Sequence, residues 1–167
     1  MKKEEVIKFN QNNMETGRSP KGYGMAYFAK RDFKKGERIM EGYGRIVDHQ
    51  TSHCSVTIGK DKHYIPEKWT GKYWNHSCNP NSYMKSRSDG FTTLFALKKI
   101  KKGEEITYDY AMTELSWITG AKEMHVSCLC GEKTCKGKIL SFSQLTPREQ
   151  SALKKAGTCS QFILKSV

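Results

Sequence analysis

The sequence contains no apolar run that could cross a membrane, since a spanning helix needs about 20 such residues. The first residues, MKKEEVIKFNQNN, also lack the apolar core of a secretory signal. Hydrophobic residues are only 37% of the chain, but aromatic residues, at 11%, can anchor a core. A chain of 167 residues has room for one domain, or one domain with a small appendage. We therefore expect a soluble, folded protein with no membrane partner.

Acidic residues are scarce relative to basic ones, and the formal net charge is +12. The positive charge is spread along the sequence and forms no tail of five or six consecutive like charges. A basic surface favours acidic partners or nucleic acid, but diffuse charge is usually a solvated face. We expect a monomer, with direct nucleic-acid binding as a secondary alternative.

The cysteine content is too low for a secreted disulfide scaffold, which is smaller and denser in cysteine. Three of the six cysteines form a Cys-x-Cys-x4-Cys pattern at 128–135. Three thiolates are one ligand short of a tetrahedral structural zinc site. Cys54, Cys78, Cys159 and His125 are candidates for the fourth ligand. Clustered thiols without a signal peptide indicate a metal site and an intracellular, reducing compartment, with nucleus and cytoplasm not distinguished.

Short apolar runs separated by Gly, Asp and Lys pairs predict a fold that is mainly β with short helices. The predicted strands are Met25–Ala29, Arg38–Glu41, 45–47, 55–58, Thr92–Ala96 and 105–107. The pattern Lys-Lys-Gly-Glu occurs at 34–37 and at 101–104, and each copy predicts a glycine turn that leads into a strand. No amphipathic helix of ten or more residues is predicted before Asp109, and residues 1–16 are predicted to form a polar lead-in that is flexible or peripheral.

One helix is predicted near the end of the chain from its capping residues. Thr146 is the N-cap, Pro147 takes the first helical position, and Glu149 completes a capping box. Gly157 ends the helix. A helix of about ten residues needs a surface to pack on, so residues 141–167 are predicted to form a helical brace.

Three further segments concentrate glycine, polar and aromatic residues: GYG at 22–24, NHSCNPN at 75–81 and EITYDY at 105–110. The glycine pair lacks the strand and helix context of a dinucleotide fingerprint. A Cys–His nucleophile pair within 75–81 is disfavoured because sequence neighbours rarely supply the required geometry. Tyr108 and Tyr110 lie on one face if their strand continues, and as structure they form a half-buried aromatic pair.

Together and in this order, these segments resemble the SET-domain family of protein-lysine methyltransferases. The resemblance extends over residues 17–137, and the cysteines at 128–135 are similar to the post-SET zinc segment of that family. It implies a SET domain at 17–115 and a post-SET segment at 116–140. The implied reaction is methyl transfer from S-adenosylmethionine to the ε-amine of a protein lysine, for example in a histone tail.

The resemblance also implies a role for individual residues. The implied fold has small β-sheets, with 75–81 threaded through a loop as a pseudoknot. The implied zinc ligands are Cys78, Cys128, Cys130 and Cys135, which leaves Cys54 and Cys159 as free thiols. The implied cofactor-binding residues are Gly22, Tyr23, Gly24, Met25, Asn75 and His76. Tyr110 matches the catalytic tyrosine, and Tyr108 matches the position that limits the number of methyl groups; a tyrosine there suggests mono- or dimethylation.

One position departs from the family pattern. Gly42 stands where the family usually has a tyrosine that faces the active site. Either Tyr43 shifts to take the place of that tyrosine, or the channel for the substrate lysine is wider at this wall. Tyr64 and Tyr73 are further candidates for lining the channel. Two alternatives to an active enzyme stay open: a non-catalytic SET-like module that binds basic peptides, and a zinc-containing nucleic-acid-binding protein.

Overall fold

The computed structural model describes residues 2–49, 55–116, 118–119, 122–123 and 126–167, with the backbone alone at 118–119 and 122–123. Its helices are α1 (Lys3–Asn13), α2 (Pro147–Lys155) and α3 (Gln161–Ser166), with 3₁₀ turns at Tyr110–Met112 and Phe142–Gln144. The strands are β1 (Met14–Arg18), β2 (Met25–Ala29), β3 (Arg38–Glu41), β4 (Gly44–Val47), β5 (Val56–Gly59), β6 (Lys62–Pro66), β7 (Asn75–His76), β8 (Ser82–Ser86), β9 (Thr92–Ala96), β10 (Thr107–Tyr108), β11 (Ile118–Thr119), β12 (Lys122–Glu123), β13 (Val126–Ser127) and β14 (Lys138–Ile139). In the described part of the chain, no helix has the length and apolar character to span a membrane.

Small sheets of two or three strands make up the fold, so the predicted fold class is confirmed. The sheet orders are β1-β2, β3-β9-β8, β4-β6-β5 and the parallel pair β7-β10, with β11-β12 and β13-β14 as two-stranded ladders. One core fills the space between these sheets, and Tyr27, Tyr64 and Phe33 are its largest fully buried side chains. The bounds predicted for β2, β3 and β9 are correct, whereas β1, β6, β7, β8 and β11 to β14 were not predicted.

The two Lys-Lys-Gly-Glu segments are the predicted glycine turns. Gly36 has φ +81° and Gly103 has φ +83°, a conformation that suits glycine. Phe33 and Ile100, just before the turns, exchange two backbone hydrogen bonds of 2.8 and 3.0 Å. The repeated pattern therefore forms two paired corners at one end of the core.

The N-terminal lead-in is a correction to the sequence analysis, because Lys3–Asn13 forms helix α1. Its buried face consists of Val6, Asn10 and Asn13, which follow helical spacing. Asn10 is fully buried, and its side chain bonds the backbone N–H and C=O of Glu41 and the carbonyl of Trp69. Two of the three buried residues are amides, so a pattern based on apolar residues does not detect this helix.

The C-terminal segment packs on the turn that follows β10. Phe142, Leu145, Cys159 and Ile163 form a second apolar cluster with Ala111. Helix α2 has the predicted Thr146 cap and Glu149 capping box, and α3 was not predicted.

Candidate active site

A cleft of about 590 Å³ opens between the GYG segment, the β7–β10 pair and the β13–β14 ladder. This volume lies in the range of small-molecule sites. Five of the predicted site residues line it: Tyr23, Met25, Asn75, Tyr108 and Tyr110. The predicted Gly22, Gly24 and His76 adjoin these residues along the chain and do not themselves line the cleft.

The parallel pairing of β7 with β10 joins the NHSCNPN and EITYDY segments. Thr107 lies opposite Asn75 and Tyr108 opposite His76. Asn81 strengthens the pairing, because its side chain accepts from Thr107 N–H at 2.9 Å and donates to the Glu105 carbonyl at 2.8 Å. This contact holds the NHSCNPN and EITYDY segments side by side at the cleft.

Asn75 presents an acceptor to the cleft. Its amide nitrogen donates to the Met25 carbonyl at 3.1 Å and to Glu105 Oε1 at 3.0 Å. Its side-chain oxygen has no protein partner among the described residues, although Asn75 is only 8% exposed. A buried acceptor without a partner favours a ligand that supplies an N–H or O–H group.

Tyr108 and Tyr110 form the aromatic wall of the cleft, with ring centroids 5.0 Å apart. The Tyr110 hydroxyl donates to the Trp74 carbonyl at 2.6 Å, which fixes the ring and its oxygen. The Tyr108 ring packs edge-on against Trp74, and its hydroxyl lies 3.5 Å from Thr113 Oγ1. Burial raises the pKa of Tyr108 well above its usual value, so this hydroxyl stays protonated at neutral pH.

His76 lies behind this wall and supports it. Its Nδ1 accepts from the Tyr110 N–H at 3.3 Å, and its Nε2 is 3.4 Å from Cys78 Sγ. Burial lowers the pKa of His76 to about 4, so the ring is neutral and its contact with Asp109 is not an ion pair at pH 7. The proton then belongs to Nε2, which donates to the sulfur, and His76 links the tyrosine wall to the cysteine cluster.

The four predicted zinc ligands lie together. The sulfur atoms of Cys78, Cys128, Cys130 and Cys135 are all within 4.8 Å of one another. Sulfurs bound to one Zn²⁺ at about 2.3 Å are separated by roughly 3.8 Å, and the Cys78–Cys128 separation is 3.8 Å. The cluster therefore fits Zn²⁺ and leaves no open coordination position. Cys159 is buried in the second apolar cluster, as expected for a free thiol, and Cys54 lies outside the described residues.

Tyr23 connects the cysteine cluster to the cleft. Its hydroxyl accepts from the Leu129 N–H at 2.9 Å and lies 3.4 Å from Cys128 Sγ. Leu129 lines the cleft yet is 51% exposed. A metal that fixes Cys128 and Cys130 therefore also places an apolar side chain over the cleft.

The space in front of Gly42 is filled by Tyr64. A Cβ on Gly42 would lie 2.6 Å from the Tyr64 hydroxyl and 2.9 Å from the Thr92 carbonyl. Tyr64 is fully buried and its hydroxyl bonds Thr92 Oγ1 at 2.6 Å, so the space beside Gly42 is filled within the core, and neither residue lines the cleft. Tyr43 stacks on Phe91 instead of lining the cleft.

Glu114 and Leu129 are among the lining residues that the sequence analysis did not name as site residues. Glu114 belongs to no motif with a recognisable spacing, and Leu129 is the variable residue between Cys128 and Cys130, so the sequence offered no signal for either side chain. Tyr73, considered as a lining residue because of Gly42, does line it.

The SET domain family model matches residues 22–111, more than half of the chain. The chain belongs to the SET domain family. The match includes GYG, NHSCNPN and EITYDY, and it ends before the cysteine segment at 128–135.

Relatives of this SET domain include histone-lysine N-methyltransferase ASHH3 of Arabidopsis thaliana, which is 34% identical over 70% of this chain and 35% of its own length. The H3 lysine-36 specific histone-lysine N-methyltransferase of Yarrowia lipolytica is 29% identical over 83% of this chain and 19% of its own. The chain thus spans about a third or less of the length of these curated relatives. A crystal structure of KRYPTONITE in complex with mCHH DNA, an H3(1-15) peptide and SAH is similar, with a TM-score of 0.62 and 27% identity over 77% of this chain and 29% of that one.

Proposed function

We propose that this SET domain transfers a methyl group from S-adenosylmethionine to the ε-amine of a lysine in a protein substrate. The observation that carries the proposal is the shared cleft: the Tyr108–Tyr110 wall and the unpartnered Asn75 oxygen face one cavity. The Arabidopsis and Yarrowia relatives are named histone-lysine methyltransferases, and the KRYPTONITE complex holds SAH and a histone H3 peptide. A histone tail is therefore the first substrate to test.

The residues of the cleft fit S-adenosylmethionine. The Asn75 oxygen offers an acceptor, and Leu129, Met25 and Tyr73 offer apolar and aromatic surface. When bound, S-adenosylmethionine supplies an electrophilic methyl group on a sulfonium. We propose that the GYG segment, Asn75 and the β7 backbone hold it.

Tyr110 is proposed to orient the reacting groups. Its hydroxyl is held by the bond to the Trp74 carbonyl, so the oxygen has a fixed position at the wall of the cleft. Because methyl transfer needs little covalent help, alignment of amine and methyl supplies much of the acceleration. Tyr108 is proposed to limit the number of methyl groups, since its hydroxyl occupies space beside Thr113.

The target lysine must be neutral to act as a nucleophile, although its usual pKa is about 10.4. The walls formed by Trp74, Tyr108 and Tyr110 exclude water, and desolvation disfavours the charged amine. The zinc-bound segment is proposed to close the cofactor side of the cleft through Tyr23 and Leu129.

The compartment, the oligomeric state and any contact with nucleic acid are proposed from the sequence. The clustered thiols favour an intracellular compartment, and the chain is proposed to act as a monomer. Contact with nucleic acid is proposed to be secondary, because the basic residues do not form a concentrated patch in the sequence.

The function is tested by incubating the protein with S-adenosylmethionine labelled on its methyl group and a panel of core histones and lysate proteins. We expect label on lysine side chains, and calorimetry should detect cofactor binding. Cofactor binding without transfer would support the non-catalytic peptide-binding alternative. Nucleic-acid binding without cofactor binding would support the third alternative.

A further inference from the structure

We infer that Glu114 accepts the proton of the substrate lysine and that Thr57 and His63 carry this proton to the surface. The inference rests on the proposed function, because it assigns the proton step of the same reaction. It concerns three residues from different parts of the chain, and none of them belongs to a motif noted in the sequence.

Glu114 is a buried carboxyl that faces the cleft. It follows the 3₁₀ turn Tyr110–Met112, is 8% exposed and lines the same cavity as Tyr108 and Tyr110. Thr113 connects it to the tyrosine wall, because Thr113 Oγ1 is 3.4 Å from Glu114 Oε1 and 3.5 Å from the Tyr108 hydroxyl. The carboxyl therefore lies two hydrogen bonds from the residue proposed to limit methylation.

No cationic side chain balances this carboxyl within the described part of the chain. Its side-chain partners are Thr57 and Thr113, both neutral. Burial raises the pKa of Glu114 above its ordinary value, which makes the carboxylate a stronger base. Burial without a counter-ion destabilises the charged carboxylate, and the ammonium group of a substrate lysine would supply that counter-ion.

Thr57, in β5, extends the contact toward the surface. Its hydroxyl donates to Glu114 Oε2 at 2.7 Å and lies 3.3 Å from His63 Nδ1 on the neighbouring strand β6. Thr57 and His63 are both half-exposed, whereas Glu114 is buried. A hydroxyl both donates and accepts hydrogen bonds. The Thr57 hydroxyl can therefore reorient and pass a proton between Glu114 and His63 in either direction.

The proposed step balances in protons and charge. The lysine ammonium loses one N–H proton to Glu114, so an ion pair in a dry site becomes a neutral amine and a neutral acid, which desolvation favours. The amine then forms the N–C bond as the methyl–sulfur bond breaks, and the bonding electrons of that bond stay on sulfur. Glu114 gives its proton to Thr57, Thr57 gives its own to His63 Nδ1, and His63 releases one proton to water.

The pH dependence of the relay from Glu114 through Thr57 to His63 depends on the titratable groups that surround it. Tyr108 and Tyr64 face Glu114, and burial raises the pKa of both, so they stay neutral near pH 7. Asp61 and His49 act on His63, whose pKa is lowered mainly by its own burial. Glu114 and His63 are therefore the groups expected to titrate between acid and neutral pH.

The first test compares pH–rate profiles of methyl transfer for the wild type and Glu114→Gln, with the protein substrate labelled most strongly in the core-histone and lysate panel. As the pH is lowered, the wild-type rate should fall only when Glu114 becomes protonated. In Glu114→Gln the rate should begin to fall at a higher pH, where the substrate lysine itself becomes protonated. We expect a loss of about 10²-fold near pH 7, the scale of general-base catalysis, that shrinks as the pH rises. An unchanged profile would overturn the inference.

Thr57 separates the relay from a structural role. Thr57→Val keeps the shape but removes the hydroxyl, so it should slow repeated turnover near pH 7, because Glu114 can no longer pass on its proton, while calorimetry shows unchanged cofactor binding. Thr57→Ser restores the hydroxyl and should recover most of the lost rate. Equal loss in the valine and serine variants would indicate that Thr57 matters only for packing, and would overturn the relay.

A substrate-free measurement completes the test. NMR titration of the His63 imidazole in the wild type should show a second inflection from the ionisation of Glu114, and Glu114→Gln should remove it. A single inflection in the wild type would contradict the hydrogen-bonded chain. If the wild type transfers no methyl group to any protein, the proposed function fails, whereas an active wild type with an unshifted Glu114→Gln profile rejects the proton acceptor alone.

Discussion

The Tyr64 hydroxyl lies 2.6 Å from the point where a Cβ on Gly42 would stand. Tyr64 comes from β6 and Gly42 follows β3, so an aromatic side chain from one sheet fills a space left open by the other. The glycine that departs from the family pattern is thus matched by a buried tyrosine with a fixed hydroxyl. This pairing fills the space beside the glycine within the core, where neither Tyr43 nor Tyr73 does so.

Gly42→Ala should destabilise the protein by about 1–3 kcal/mol, the usual cost of overpacking a core. The new methyl group would also meet the Thr92 carbonyl at 2.9 Å, so Tyr64→Phe in the same chain should relieve only part of the loss. Urea unfolding measures the change. Gly59→Ala is the control, because its Cβ meets only the Lys62 side chain at 3.3 Å or more. Equal stability of the Gly42 and Gly59 variants would contradict the proposed fit.

Asn10→Ala should cost on the order of 3 kcal/mol, because it leaves the Glu41 N–H and C=O and the Trp69 carbonyl without this partner. Asn12→Ala is the matched control, since Asn12 is exposed on the same helix. Thermal melting with both variants checks the prediction. A small effect for Asn10→Ala would mean that α1 contributes little to the fold.

Local patterns predicted the elements whose signals lie within a few residues. Helix α2 was predicted because Thr146, Pro147 and Glu149 form its N-terminus within four positions. Helix α1 was missed because Asn10 finds its partners 31 and 59 residues away, which no local pattern records.

The same limit applies to the site. NHSCNPN and EITYDY were recognised as motifs, and the structure brings them together in one parallel pair. Glu114, Thr57 and His63 were not recognised, because their relationship arises only when β5 packs against the turn after β10. Gly42 was noted as an anomaly, but its partner Tyr64 could not be chosen over Tyr43 or Tyr73 without coordinates.

The protein should bind one zinc ion per chain. Cys130→Ser should lose the metal, loosen the β13–β14 ladder and weaken cofactor binding, because Tyr23 and Leu129 depend on the cluster. Metal analysis and calorimetry measure the two effects. Cys159→Ala, outside the cluster, should keep the zinc. Full zinc content in Cys78→Ser would contradict Cys78 as the fourth ligand.

Tyr108→Phe should increase the number of methyl groups on the product. The wild type should stop mainly at one methyl group, because the Tyr108 hydroxyl occupies the space beside Thr113. Removing the hydroxyl frees roughly the volume of one water molecule and makes the site less polar. Mass spectrometry of end-point products decides the matter, and identical methyl distributions would remove Tyr108 from this role.

The central claim is that Tyr110 orients methyl transfer in this cleft, and the most direct measurement is the single-turnover rate of Tyr110→Phe. This variant loses one hydroxyl and its bond to the Trp74 carbonyl, with almost no change in volume. We expect the rate to fall by about 10²-fold or more, the scale for one preorganised polar group, while cofactor affinity stays the same. Tyr83→Phe, whose ring stacks on Phe95 away from the cleft, should keep the wild-type rate. Equal rates for the wild type and Tyr110→Phe would contradict the account.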